Sequence, residues 1–109
     1  MKVVVKMEAP KYVRGSYTFD SLGKLYDFLA LIKGLGESNI GPFIFTLAKD
    51  GVLNLSKYGF SINAKLDCAD YVLANKLAKE IGLVNGFGRF KPAKAKILTF
   101  VKAFDSAML

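Results

Sequence analysis

Between Arg89 and Lys102 the chain carries Arg89, Lys91, Lys94, Lys96 and Lys102, with no acid among them. Phe87 and Phe90 interleave with the start of this run. Cations beside aromatic rings suit a phosphate backbone with stacked bases. Lys57, in Lys57-Tyr58-Gly59-Phe60, joins them as a nucleic-acid contact. Lysine contacts to phosphate carry no sequence information, so affinity without base choice is the chemistry expected. Packing into the core is the competing role for Phe87 and Phe90.

Other chemistries find few groups. There is no His, which removes Ser-His-Asp and Cys-His nucleophiles and His-ligated zinc within the chain. A metal would need carboxylates, which suit Mg²⁺ or Ca²⁺. Asp20, Asp27, Asp50, Asp67 and Asp70 fall at expected caps, turns or exposed helix positions. Glu37 reads as a solvated loop acid ahead of a metal ligand. Cys68, the single cysteine, allows no internal disulfide and has no neighbouring base to activate it. Gly86-Phe87-Gly88-Arg89-Phe90 has the glycine–aromatic character of RNA-binding sheets, yet it sits between elements and not inside a central strand. No Gly-Lys-Ser/Thr follows it, so it is not a P-loop. No catalytic residue, no metal site and no cofactor are expected.

These groups need a scaffold. The 109 residues suit a single domain over 1–109 with one core, and 52% hydrophobic content with nine Phe and five Tyr argues against disorder. The net charge is +7 and the pI about 9.6. Such a balance is common in proteins that meet phosphate. No apolar run reaches the roughly 18 residues of a membrane span, and the start reads as a strand, not a signal peptide.

Val3-Val4-Val5 marks a first strand, and Ser16 to Phe19 a short second one or an extended lead-in. Asp20 or Ser21 caps a helix over 21–34, which Gly34 and Gly36 end. Ala30 and Gly34, four apart, are expected on one helix face as a helix-packing pair. Phe43–Leu47 reads as a strand, Asp50-Gly51 as its hairpin turn, and Val52–Leu55 as the partner. Tyr58-Gly59 is a bend, and Phe60–Leu66 a third strand of the same meander. Asp67 caps a second helix over 68–81, ended by Gly82. Lys91-Pro92 starts a basic loop, and Ile97–Val101 is a last strand. No repeat or linker is visible. The fold class expected is α+β, an antiparallel sheet with two helices on one face in a ferredoxin-like or related sandwich, its other face open.

This layout is similar to one LAGLIDADG homing-endonuclease domain over about residues 25–105. Phe28 to Gly36 keeps Leu31, Ile32 and Gly36 of the nine-residue motif, with small residues at Ala30 and Gly34. Phe60 to Asp67 and Leu77 to Gly82 resemble the family's strand and following helix. The resemblance implies paired motif helices, a sheet saddle on nucleic acid, and a metal-holding acid in each motif. Here the acidic positions fall on Leu35 and Lys33, and Glu37 is displaced by two. A leucine cannot bind Mg²⁺, so the resemblance implies a non-cleaving, nucleic-acid-binding descendant.

The function expected is therefore a non-catalytic, basic, RNA-binding structural component of a ribonucleoprotein such as an organellar ribosome. Its partners would be nucleic acid, RNA ahead of DNA, with a homodimer or ribonucleoprotein neighbours and no membrane. The location would be intracellular, a mitochondrion or else the cytoplasm. Two readings stand behind it. One is a homodimeric, metal-dependent DNA endonuclease using Glu37. The other is a small protein-interaction module such as a viral or phage inhibitor.

Overall fold

In the computed structural model, residues 1–83 and 94–109 are described, with the side chain of Glu37 excepted. The expected α+β class is present, as a four-stranded antiparallel sheet with helices on one face. Among the described residues four α-helices are found where two were expected. The chain runs β1 (Val3–Ala9), β2 (Gly15–Phe19), α1 (Leu22–Ala30), α2 (Glu37–Asp50), β3 (Val52–Lys57), β4 (Phe60–Leu66), α3 (Tyr71–Ile81) and α4 (Lys94–Ala107). It thus passes through ββαα twice.

The sheet order is β2-β1-β4-β3. Alternation decides which way each strand faces. Val3, Val5 and Met7 of β1 and Phe60, Ile62, Ala64 and Leu66 of β4 point into the core. The other face carries Val4, Lys6 and Glu8, with Asn63 and Lys65 beside them, and among the described residues no helix covers it. Pairing brings Val3 opposite Leu66 and Val5 opposite Ala64, so the first and fourth strands form the centre.

Ser21 caps α1, its hydroxyl accepting from the Lys24 N–H at 3.1 Å. Leu22, Leu25, Tyr26 and Leu29 form the buried stripe. The helix ends at Ala30, not at 34. Leu31 is 86% exposed, while Ile32 and Leu35 turn back into the core. Gly34 (φ 90°) and Gly36 (φ 81°) adopt left-handed backbone, which a helix does not allow. Ala30 and Gly34 therefore do not share a helix face, and Ala30 is itself exposed. The expected helix-packing pair is not formed within the chain.

The segment expected as a strand at Phe43–Leu47 is the second half of α2. Ile40, Phe43, Ile44, Leu47 and Ala48 are buried at helical spacing, and that period spans Glu37–Asp50. Pro42 lies inside the helix. Asp50-Gly51 is consequently a helix end, not a hairpin turn. Gly51, at φ 81°, donates its N–H to the Leu47 carbonyl at 2.9 Å. The hairpin turn is Tyr58-Gly59, with φ 57° and 78°, the doubly left-handed geometry that matches strand twist.

The N-cap of α3 is Asp70, three residues after the one expected; its Oδ1 accepts from the Leu73 N–H at 2.9 Å. Asp67 instead accepts from the Lys2 N–H at 2.9 Å. The last expected strand, Ile97–Val101, belongs to α4, where Ile97, Phe100, Val101 and Phe104 are buried three and four apart. Phe100 meets the Phe45 ring edge-on at 5.8 Å and lies 6.2 Å from Phe104. Together α1 and α3 each pack on both α2 and α4. The glycine-rich stretch expected after Leu83 and the Lys91-Pro92 loop lie outside the described residues.

Candidate nucleic-acid interface

The sheet has two unlike ends. Ala9 pairs with Ser61, and Ser56 pairs with the same Ser61. The β1–β2 connection and the Tyr58-Gly59 turn therefore emerge side by side. Between them lies the α1–α2 connection. The Tyr12 hydroxyl donates to the Lys33 carbonyl at 2.6 Å, and a Cβ on Gly34 would meet the Phe60 ring at 3.8 Å.

Three segments distant in sequence thus bring Lys11, Arg14, Lys33 and Lys57 to one end, all exposed. Two aromatic rings stand among them, Tyr12 at 62% and Tyr58 at 71% exposure. The Lys57 ammonium lies 5.6 Å from the Tyr58 ring centroid, a cation–π contact that holds the charge at the turn. Among the described side chains, the acid nearest this end along the strands is Glu8, which pairs with Lys6 at 3.2 Å. Glu37 opens α2, and its side chain is not among those described.

The opposite end carries most of the acids. Asp20 pairs with Lys24 at 2.9 Å, and that hydrogen bond and charge hold its carboxyl below the usual range. Asp67 is lowered mainly by the N–H of Lys2. Asp50 and Asp70 flank β3 and α3 there. Beside Asp67, burial pushes the Cys68 thiol up, the reverse of an activated nucleophile.

Among the described residues expected to bind nucleic acid, Lys57 stands at the hairpin end of the sheet. Lys102 lies in a groove of about 550 Å³ between α1 and α4 with Asp20, Asp27 and Asp105. Lys96 sits beside the end of α3, its Nζ 3.5 Å from where a Cβ on Gly82 would be. That position is at the negative pole of the α3 dipole, a local structural role. Lys94 is exposed at the start of α4. Phe87, Arg89 and Lys91 lie outside the described residues. The described part of the linear cluster is therefore split, Lys102 standing among acids and Lys96 at the end of α3.

The bare sheet face adds hydrogen-bonding groups and charge. Its rows read Thr18, Val4, Lys65, Val52 and Ser16, Lys6, Asn63, Asn54 across the four strands. Among the described residues no aromatic side chain stands on it, and the exposed rings nearest to it are Tyr12 and Tyr58 at the hairpin end. Lys11, Arg14 and Lys33 were not selected by sequence reasoning. Lys11 and Arg14 lie close together in the sequence, but strand pairing was needed to bring Lys57 to the same end.

Among the described residues no three His, Cys, Asp or Glu side chains are grouped to hold a metal, and no helix is long and apolar enough to cross a membrane. No protein-family model, no curated protein and no solved structure matches this chain.

Proposed function

We propose that this protein is a non-catalytic nucleic-acid-binding module, with RNA in a ribonucleoprotein setting as its first candidate ligand. The observation that carries the reading is the convergence of Lys11, Arg14, Lys33 and Lys57 with two exposed tyrosines at one end of the sheet. Phosphates would meet the four cations, bases would stack on Tyr12 and Tyr58, and the Lys6/Lys65 sheet face would extend the contact. The net charge of +7 supports attraction of a polyanion at long range.

The test is a titration of labelled RNA at increasing salt. Affinity should fall steeply, because each neutralised phosphate releases counterions. Replacing Lys11, Arg14, Lys33 and Lys57 together by Ala should weaken binding and flatten the salt slope by about 0.7 per lost single-strand phosphate contact. Replacing Lys96 and Lys102 should change the slope much less. Binding that ignores salt, or that survives loss of the four cations, overturns the reading.

A further inference from the structure

Resting on the nucleic-acid reading above, we propose that the ligand is single-stranded and that one of its bases enters the groove between α2 and the edge strand β3. The groove opens at the basic end, with Lys57 and Tyr58 at its mouth, and has a volume of about 150 Å³. Phe43 and Phe60, both buried, form its floor, while Leu53 and Leu55 of β3 form one wall. A largely apolar groove of this size, floored by two aromatic rings, suits an aromatic heterocycle.

The α2 wall is polar at two places. Asn39 spends its amide N–H on the Leu35 carbonyl, which leaves its side-chain oxygen available as an acceptor. Thr46 lines the groove and has no hydrogen-bond partner among the described residues, whereas Thr99 in α4 returns its hydroxyl to the Ala95 carbonyl at 2.8 Å. An acceptor and a hydroxyl on one edge of an apolar slot match the donor and acceptor edge of a base. Charge complementarity commits the groove to a nucleotide over a neutral aromatic. Lys57 stands at the mouth, and Lys33 projects from the connection that also supplies Leu35. Phosphates on either side of an inserted base would lie between these two cations.

This geometry excludes a regular duplex. A paired base is stacked on both faces and its hydrogen-bonding edge is occupied, so it cannot enter the slot without being unpaired. Unpaired bases need no such opening, and a neighbouring base can stack on the exposed Tyr58 ring.

The experiment measures fluorescence anisotropy of the full chain with labelled 12-nucleotide oligouridylate, its oligothymidylate counterpart, and a duplex RNA of equal length. Thr46→Leu fills the groove and Thr46→Val removes the hydroxyl, and circular dichroism melting confirms that each is folded. Single strands should bind about tenfold tighter than the duplex at equal salt. Thr46→Leu should abolish that preference and leave the salt slope unchanged, since no cation is lost. Thr46→Val should give a smaller loss. Equal affinity for duplex and single strand, or unchanged preference in Thr46→Leu, overturns the groove while the salt-dependent binding stands. Absence of salt-dependent binding to every oligonucleotide overturns both this inference and the function it rests on. Tighter binding of oligouridylate than of oligothymidylate identifies RNA as the source, and the reverse identifies DNA.

Discussion

Asp105, near the end of α4, accepts a hydrogen bond from the backbone N–H of Leu22, the first residue of α1, at 2.8 Å. Its second oxygen takes the Gly23 N–H at 2.9 Å. Ser21 supplies an oxygen for Lys24, so the early N–H groups of α1 are satisfied by one local and one distant side chain. The carboxylate also faces the positive pole of the α1 dipole. Replacing Asp105 by Ala would leave two helix donors without their partner. Expected is a loss of about 1–2 kcal/mol and a fall in melting temperature of roughly 5–10 °C, read by thermal denaturation. Asp105→Asn should recover part of it, because one oxygen acceptor remains.

Gly51 is the junction between the first and second ββαα passages. Its φ is 81°, and a Cβ there would stand 3.0 Å from the Ala69 Cβ and 3.4 Å from the Leu66 carbonyl. Left-handed backbone and a blocked Cβ act in the same direction. Gly51→Ala should destabilise by about 1–3 kcal/mol, with a matching shift in the urea midpoint. Gly59 is also left-handed but meets nothing within 4 Å, so Gly59→Asn should cost much less.

Cys68 is half-buried, and desolvation with Asp67 alongside raises its thiol above the ordinary value of 9.0. The thiolate is the reacting form, so native protein at pH 7 should react with iodoacetamide more slowly than a free cysteine. The rate should rise on adding denaturant. Fast native labelling would contradict the placement of this side chain.

Acid should weaken the fold through Asp20 and Asp67. Both carboxyls are held below the ordinary 3.8, Asp20 by its hydrogen bond and ion pair with Lys24, Asp67 by the Lys2 N–H. A lowered folded value means the charged form is favoured in the native state. That stabilisation is full above the unfolded value and disappears as pH falls through the folded one. Melting temperature should therefore be flat near pH 5–7 and decline below about pH 4. Asp67→Asn should shrink the decline. Both groups are solvent-exposed, so the effect should be modest.

The core of the sheet was legible in the sequence. Phe60–Leu66 alternates clearly, Val3-Val4-Val5 is a β-branched run that suits a strand, and Ser21 and Gly82 mark helix ends by side-chain oxygen and left-handed backbone. The errors fell on Phe43–Leu47 and Ile97–Val101. Each is a short apolar run rich in aromatic and β-branched residues, and five residues cannot separate a strand from a buried helical turn. The 14-residue windows around them carry the helical period, and the sheet needed those helices to cover its apolar face.

Composition alone determined that the chain is basic, has no histidine chemistry and holds enough apolar mass for a core. The location of the candidate site was a different matter. Lys11, Arg14, Lys33 and Lys57 are spread over 47 positions, and the most crowded run of cations lies elsewhere. The pairing of β1 with β4 sets their two turns side by side, and the Tyr12–Lys33 hydrogen bond, with Gly34 against Phe60, draws the helix connection between them. Charge is a property of residues, but a binding surface depends on which residues the long-range strand register makes neighbours.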